Sequence, residues 1–313
     1  MSPGEAVDPI TLEVLRETFS SIVREMRVTL VRTAYSSILY EGEDFSCVLL
    51  DGDAQIVSMS KGQDHPLHIV PIGWSMKAVR EKFADDIHPG DIFLHNDPYT
   101  GGTHLNDVAM LYPLFADGRL FVFPVVRAHW GDVGGMSPGS LTGDATEIFQ
   151  EGVRIPPIRI VDRGTPNQAA LDLIFANMRG PRERKGDFDA MIGTCRKAAE
   201  RVEALAARYG APVVRAAVAE LMDRAEQRMR RAIAALPDGE YAYESHLESG
   251  RTRLEPLTIR ARVAVAGETI TVDLTGTSPQ TAAPTNVGPA MAPTGAFTIL
   301  KAFLDPGTDV NSG

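Results

Sequence analysis

A turn between two apolar runs constrains the fold of this chain most strongly. Residues 108–115 and 120–126 are apolar runs of strand length, and Asp117-Gly118 between them is a typical turn pair. We therefore predict an antiparallel hairpin. Asp107 precedes the first run and His129 follows the second, so antiparallel pairing is expected to bring both residues to the same end of the ladder.

Histidine and aspartate are concentrated around this hairpin. Six of the seven histidines precede residue 130, and three of them lie between residues 95 and 135 with four aspartates: His95, His104 and His129, with Asp97, Asp107, Asp117 and Asp132. Neutral imidazole and carboxylate are ligands for divalent transition metals, and two histidines with one carboxylate suit Mn, Fe or Zn. A metal site is one interpretation. The other interpretation is that these residues only form hydrogen bonds and turns.

Glycine pairs flank the same residues. Gly101-Gly102 precedes His104, and Gly134-Gly135 follows Asp132. Glycine adopts backbone conformations closed to other residues and permits close approach of another chain segment or a ligand. The pairs therefore indicate tight loops around the predicted site.

Capping signals and periodicity predict the helices. Asp8 is a candidate N-cap and Pro9 a first helical residue, and apolar residues then recur every three or four positions to about Tyr35. This pattern predicts a long amphipathic helix. Two further long helices are predicted over residues 190–208 and 212–235, interrupted at Gly210.

Alternating segments predict two more hairpins. One spans residues 45–59 around a turn at 51–53, and the other spans 257–274 around a turn at 266–268. Residues 275–293 are rich in Thr, Pro, Ala and Gly and are interpreted as an ordered loop. The predicted fold is α+β, a mixed fold of largely antiparallel strands with a long N-terminal helix and a segregated helical region.

These elements divide the chain into three predicted regions. Residues 1–165 form the N-terminal helix and a β-rich metal-site region, and residues 166–238 form a helical region. Residues 239–313 form a second β-rich region, expected to be incomplete at its C-terminus.

Composition narrows the classes of partner. The 313 residues carry a formal net charge of −10, so no basic patch for nucleic acid is expected. No apolar run is long enough to span a membrane, and residues 1–6 lack the basic and apolar regions of a signal peptide. The only cysteines, Cys47 and Cys195, are far apart in sequence and are expected to be reduced thiols of a cytoplasmic protein, with Cys47 in the core.

Several ungapped motifs carry a resemblance to a known family. They lie at residues 41–47 (Glu-Gly-Glu-Asp-Phe-Ser-Cys), 90–98, 101–107, 128–135 and 151–157 (Glu-Gly-Val-Arg-Ile-Pro-Pro). The chain resembles the hydantoinase B/oxoprolinase family from about Asp8 to its last residues. Members of that family run a few hundred residues further, into another β-rich stretch.

The resemblance implies an activity shared between two subunits. Members act beside a hydantoinase A-type subunit that uses ATP to activate a carbonyl, and their reactions include opening of hydantoins, 5-oxoproline and lactams, and carboxylation of ketones. In the related acetone carboxylase, the B-type subunit holds manganese through a His-x-x-Asp pair and a later histidine. That pattern falls on His104, Asp107 and His129, which favours Mn, with Zn or Fe as alternatives.

The remaining polar residues are assigned by type. Asp132, His95 and Asp97 are candidates for the general base or for orienting the ligand histidines. Arg127 is a candidate to meet a phosphoryl group or to form a structural ion pair.

Five further polar residues lie near these motifs. His65 and His68 are candidates to line the same pocket, whereas Glu41 and Asp44 are interpreted as turn-forming. His88, beside Pro89, is interpreted as structural.

Three functions remain open at this stage. The first is the B-type subunit of an ATP-dependent cyclic-amide hydrolase, working as a hetero-oligomer with an A-type subunit that binds ATP, because the sequence has no P-loop pattern. The second is the equivalent subunit of a ketone carboxylase. The third is a non-catalytic scaffold stabilised by a metal.

Overall fold

The computed structural model describes residues 7–59, 64–248 and 256–313. Residues 1–6, which bear on the signal-peptide prediction, lie outside these ranges. The described helices are α1 Pro9–Thr33, α2 Ser37–Tyr40, α3 Ile69–Phe83, α4 Gln168–Ala176, α5 Pro181–Tyr209, α6 Ala211–Ala234 and α7 Met291–Leu304. The described strands are β1 Phe45–Leu50, β2 Ile56–Met59, β3 Ile92–His95, β4 Asp107–Leu111, β5 Phe115–Ala116, β6 Arg119–Leu120, β7 Phe123–His129, β8 Ile158–Asp162, β9 Thr165–Pro166, β10 Gly239–Leu247, β11 Leu257–Ala266 and β12 Thr269–Asp273.

The long N-terminal helix begins at the predicted cap. The Asp8 carboxylate accepts hydrogen bonds from the backbone N–H groups of Ile10 and Thr11, and Pro9 occupies the first turn. The apolar stripe is buried along the helix: Leu12, Leu15, Phe19, Ile22, Met26 and Leu30. Helix α1 packs against α5 and β1, so the predicted amphipathic helix faces the chain's own core.

A seven-stranded antiparallel sheet forms the centre of the fold. Its strand order is β2-β1-β7-β4-β3-β8-β9, and every neighbouring pair is antiparallel. Strands β1, β3 and β4 are buried at every residue, because α1 packs on β1, α5 on β7 and α3 on β4. A separate three-stranded antiparallel sheet contains β10, β11 and β12. The predicted α+β class with largely antiparallel strands is confirmed.

The hairpin predicted around Asp117-Gly118 is present but interrupted. Strands β4 and β7 pair so that Asp107 lies opposite His129, which confirms the predicted meeting of the ladder ends. Nearer the turn, β5 and β6 form a two-stranded ladder of their own. The hairpins predicted at residues 45–59 and 257–274 are confirmed as β1–β2 and β11–β12.

Several helices depart from the predictions. Helix α3 lies inside the segment predicted to be β-rich, and α7 lies inside the region predicted to return to strands. Helix α3 carries Pro71 in its first turn, where the missing N–H removes no helical hydrogen bond. Helix α5 begins nine residues before the predicted start at residue 190, because its first turns are mainly polar and carry little apolar periodicity.

The first two predicted regions share one hydrophobic core. A single cluster of buried residues runs from Val7 on the N-terminal side to Met222 of α6. The division of the chain into three regions stays a prediction.

Cys47 lies in the core, as predicted. Cys47 on β1 and Cys195 on α5 are both free and fully buried. Burial raises the pKa of both thiols, which makes thiolate chemistry unfavourable at either position. Among the described helices, none is long and apolar enough to cross a membrane.

Candidate metal centre

Three residues converge at one end of the β4–β7 ladder. Asp107 is the first residue of β4 and His129 is the last residue of β7. His104 lies in the turn before β4, where its carbonyl accepts the Asp107 N–H at 3.1 Å. The pairing of the two strands therefore brings His104, Asp107 and His129 together, and these three residues are called the triad below.

The triad has the spacing of a metal site. One candidate ligand atom from each residue lies within 4.8 Å of the other two. Nδ1 of His104 is 3.1 Å from Oδ2 of Asp107, and Nδ1 of His129 is 3.4 Å from Oδ1 of the same carboxylate. Asp107 is buried, whereas the His104 side chain is 40% exposed. The triad therefore has one open side, which a substrate-accessible metal site requires.

Unpaired polar atoms support a cation at this position. Within the described residues, His104 Nδ1 and Asp107 Oδ1 are buried without a hydrogen-bond partner. Buried polar atoms are rarely left unpaired, and a site for a bound ion is one explanation when they are. Two imidazoles and a carboxylate fit a divalent transition ion.

The electrostatics keep the carboxylate ionised. Burial acts to raise the pKa of Asp107, but the adjoining imidazoles of His104, His129 and His68 lower it well below its usual value. Burial acts to lower the pKa of His104, but Asp107 raises it above its usual value. A proton on His104 therefore competes with a metal ion for the site.

His68 belongs to the surroundings of the triad. Its Nε2 lies 3.0 Å from Asp107 Oδ2, and its Nδ1 lies 2.9 Å from the Ser46 hydroxyl oxygen. Burial lowers the pKa of His68. The His65 ring lies 5.2 Å from the His68 ring. His68 therefore lies at the site, in direct contact with Asp107, as the sequence interpretation proposed.

Two carboxylates near the triad were missed as site residues. Oδ2 of Asp44 is 3.6 Å from His129 Nδ1, and the Asp44 carbonyl accepts the His129 N–H at 3.0 Å. Burial raises the pKa of Glu151, and nearby His104 opposes that rise. The signal for Asp44 was available, because it directly precedes β1, and β1 pairs with β7 from Phe45 onward.

Asp132 has other partners. It accepts hydrogen bonds from the N–H groups of Gly134 and Gly139 at 2.8 Å each. Its ion pair with Arg179 measures 3.2 Å. These contacts hold the loop after β7. In the described part of the chain, no hydrogen bond or ion pair of Asp132 reaches a triad residue. Its catalytic role stays a prediction.

His95 and Asp97 also make local contacts. His95 Nδ1 lies 2.8 Å from the Ser75 hydroxyl and Nε2 lies 2.9 Å from that of Thr100. Burial and nearby Arg127 lower the pKa of His95 to about 3. Asp97 accepts the Tyr99 N–H and lies 3.6 Å from Arg154. A neutral, doubly hydrogen-bonded His95 is suited to shaping the loop, and both catalytic assignments stay predictions.

Arg127 is a fully buried cation beside the triad. It donates to the Ser75 hydroxyl at 2.6 Å and lies 3.4 Å from the Thr103 hydroxyl. Burial lowers its pKa to about 10, while the charge of Asp107 opposes that change. No ion pair to Arg127 occurs among residues 7–59, 64–248 and 256–313. The positive charge of the guanidinium therefore acts on the site electrostatically, and the group also contacts Thr103, which donates to Asp107. It is not exposed to meet a phosphoryl group.

Glycine is required where the loop carrying His104 turns. Gly101 has a φ of +112°, and a Cβ there would lie 2.5 Å from Trp74 Cβ. Any side chain at this position would push the loop away from α3. The predicted need for glycine before His104 is explained by both conformation and space.

Comparison with known proteins supports a family assignment. Residues 8–313 match the family model of hydantoinase B/oxoprolinase. The chain is 38% identical over 282 residues to a putative B-type subunit of D-/L-hydantoinase from Pseudomonas sp. strain NS671, covering 88% of this chain and 48% of that protein. It is 37% identical over 262 residues to the β subunit of caprolactamase from Pseudomonas jessenii, covering 84% of this chain and 45% of that protein.

Solved structures show the same fold. The crystal structure of ATP-dependent caprolactamase from Pseudomonas jessenii superposes with a TM-score of 0.92 at 34% identity, covering 98% of this chain and 52% of that chain. A nucleotide-free acetone carboxylase structure gives a TM-score of 0.91 at 19% identity, covering 98% of this chain and 42% of that chain; this similarity shows the fold alone. The chain thus spans about half the length of these relatives. The match along residues 8–313, together with the shared fold, shows that the chain belongs to the hydantoinase B/oxoprolinase family.

Proposed function

We propose that this chain is the B-type subunit of an ATP-dependent cyclic-amide hydrolase that opens hydantoin, 5-oxoproline or lactam rings. The observation that carries the proposal is the convergence of His104, Asp107 and His129 on one open side, with a buried Asp107 oxygen left unpaired. Relatives named as a hydantoinase subunit, a caprolactamase subunit and 5-oxoprolinases support the substrate class.

The chemistry of a ring amide explains the need for a partner. An amide carbonyl is a poor electrophile, and ATP can phosphorylate its oxygen. Water can then add to the activated carbon, the ring C–N bond breaks with the protonated amine as leaving group, and the acyl phosphate that forms is hydrolysed to carboxylate and phosphate. The sequence contains no P-loop pattern. We therefore assign ATP binding and carbonyl activation to a hydantoinase A-type subunit, and the complex is a hetero-oligomer.

The triad is proposed to hold a divalent transition ion, with manganese favoured and zinc or iron also suited to the ligand set. Such an ion lowers the pKa of bound water and stabilises negative charge on substrate oxygen. Asp107 contributes an ionised carboxylate, because its pKa lies well below the usual value. His104 and His129 contribute imidazole nitrogens once His104 has lost its proton.

Proton transfer is proposed to involve a carboxylate or imidazole near the ion. Asp132, His95 and Asp97 are the residues predicted for this role, and Asp44 is a fourth candidate because its carboxylate lies 3.6 Å from His129. The buried Arg127 compensates the charge of Asp107 from within the fold. Because both cysteines are free and buried, we also propose a cytoplasmic location.

The proposal is tested by combining this chain with an A-type subunit and following phosphate and ring-opened product separately. Neither ATP hydrolysis nor ring opening is expected from this chain alone. Asp107→Ala is expected to abolish ring opening in the complex while leaving part of the substrate-dependent ATP hydrolysis. Asp117→Asn is the matched control, since Asp117 lies in the exposed β5–β6 turn with φ +53°.

The outcomes separate the three functions. Ring opening by this chain without ATP would refute the division of labour and indicate an ordinary metal amidohydrolase. ATP-dependent consumption of ketone and bicarbonate, with no ring opening, would indicate a ketone carboxylase. Unchanged product formation in Asp107→Ala would exclude the triad from the reaction. Metal binding without product from cyclic amides or ketones in the complex would indicate a metal-stabilised scaffold.

A further inference from the structure

The two oxygens of Asp107 have different surroundings. Oδ2 lies 3.0 Å from His68 Nε2 and accepts a hydrogen bond from the Thr103 hydroxyl. Oδ1 is buried without a hydrogen bond in the part of the chain that the structure describes. His104 Nδ1 lies 3.1 Å from Oδ2 and His129 Nδ1 lies 3.4 Å from Oδ1. Residues outside the triad therefore hold Oδ2, whereas Oδ1 lies only beside a candidate ligand.

The hydrogen-bond pattern around His68 sets the direction of its bond to Asp107. The Ser46 hydroxyl oxygen accepts the backbone N–H of His65 at 3.0 Å and lies 2.9 Å from His68 Nδ1. The Ser46 hydroxyl hydrogen is then available to Nδ1. An ionised carboxylate can only accept, and a neutral imidazole has one donor and one acceptor nitrogen, so Nε2 carries the hydrogen and donates to Asp107.

His68 lies at the junction of two helical elements. His68 ends the 3₁₀ turn Pro66–His68 and directly precedes α3, and its side chain is buried. Ser46 lies on β1, next to β7, with Arg127 as its partner across the ladder. The contact thus joins the start of α3 to the strand end that carries His129, through a side chain with little freedom to move.

We propose that His68 is a positioning residue for the metal centre. It holds Asp107 through Oδ2, with Thr103 as the second donor, and so fixes the carboxylate with Oδ1 directed towards His129. This inference rests on the proposed metal centre. Partners that orient a metal ligand in this way typically change metal affinity by about 10- to 100-fold when removed.

Two amide substitutions test which nitrogen of His68 matters. The side-chain amide in His68→Gln can take the place of Nε2 and reach Asp107, whereas the shorter amide in His68→Asn can take the place of Nδ1 and reach only Ser46. The probe is Co²⁺, added to the whole chain after chelator treatment. The measurements are the dissociation constant by chelator competition and the visible absorption spectrum of bound Co²⁺.

We expect His68→Asn to weaken Co²⁺ binding by about 10- to 100-fold and to alter the spectrum, because the carboxylate is no longer fixed by His68. His68→Gln is expected to retain an affinity and spectrum close to those of the wild type. His88→Gln is the control, because His88 contacts Asp86 at the protein surface.

Each alternative result has a distinct meaning. Wild-type affinity and spectrum in His68→Asn would overturn the positioning role while leaving the metal centre intact. Equal weakening in both variants, with an unchanged spectrum and lower melting temperatures of the metal-free proteins, would show that His68 only supports the fold. Absence of Co²⁺ binding by the wild type would overturn the metal centre and this inference together.

Discussion

Thermal stability is expected to report metal binding at the triad. A ligand that binds only the folded state at 100 times its dissociation constant stabilises that state by about 2.7 kcal/mol. An unfolding entropy of about 2.1 cal/mol/K per residue corresponds to about 0.66 kcal/mol/K for 313 residues. Mn²⁺ at that excess should therefore raise the melting temperature by about 4 °C, and each further tenfold excess by about 2 °C.

The perturbation is Asp107→Asn, which removes the ionised ligand while keeping the side-chain shape. The carboxylate contacts both triad histidines, at 3.1 and 3.4 Å, so its replacement should abolish the Mn²⁺-dependent shift. The absolute melting temperature of the metal-free variant can change as well, because Asp107 also contacts His68. The shift between metal-free and metal-loaded protein is therefore the quantity to compare.

The assay is differential scanning fluorimetry on chelator-treated protein over a series of Mn²⁺ concentrations. Asp117→Asn is the control, and its shift should match the wild type. An equal Mn²⁺-dependent shift in Asp107→Asn would refute the assignment of the ion to the triad, as would a wild type with no shift under Mn²⁺, Zn²⁺ or Fe²⁺.

Three further predictions concern pH, backbone and capping. Because the pKa of His104 is raised from 6.5, lowering the pH should reduce the Mn²⁺ affinity, measured by equilibrium dialysis, before pH 6.5 is reached. The same proton stabilises the metal-free fold at low pH, and this stabilisation is lost as the pH rises through the raised pKa. A flat profile between pH 8 and 6 would contradict this. Gly101→Ala should lower the free energy of unfolding in urea by about 1–3 kcal/mol because φ is +112° and the Cβ has no room, whereas Gly118→Ala, with open space around it, should cost about 1 kcal/mol; equal losses would argue against crowding. Asp8→Ala should lower the same free energy by about 1 kcal/mol through loss of the helix cap, and Asp8→Asn should restore most of it.

Local sequence patterns were sufficient for much of the fold. The Asp8-Pro9 signal and the apolar spacing after it predicted α1, and turn residues flanked by apolar runs predicted the β1–β2, β4–β7 and β11–β12 pairs. These features depend on residues near one another in the chain, where capping and periodicity act directly. The start of α5 was missed because its first turns are mainly polar and carry little periodic signal. Helix α3 was missed although Ile69, Ile72, Met76 and Val79 recur every three or four residues.

The proximity of the three triad residues could also be predicted from short-range sequence features. His104 and Asp107 are three residues apart, and antiparallel pairing of β4 with β7 brings His129 to them. One turn and one strand register therefore suffice to bring the three candidate ligands together, and the family resemblance selected them from the other histidines and aspartates. The sequence by itself determined this much, because each step follows from the turn and the pairing on either side of it.

Only the tertiary structure decided what surrounds the triad. His68 reaches Asp107 from the start of α3, and Asp44 reaches His129 from the residue before β1. Asp132 lies close to the triad in sequence, but its carboxylate holds a loop and pairs with Arg179. Side-chain partners of this kind depend on packing between distant segments and on where each buried polar atom finds a hydrogen bond. A local sequence pattern therefore does not predict which hydrogen-bond partner each of these side chains finds.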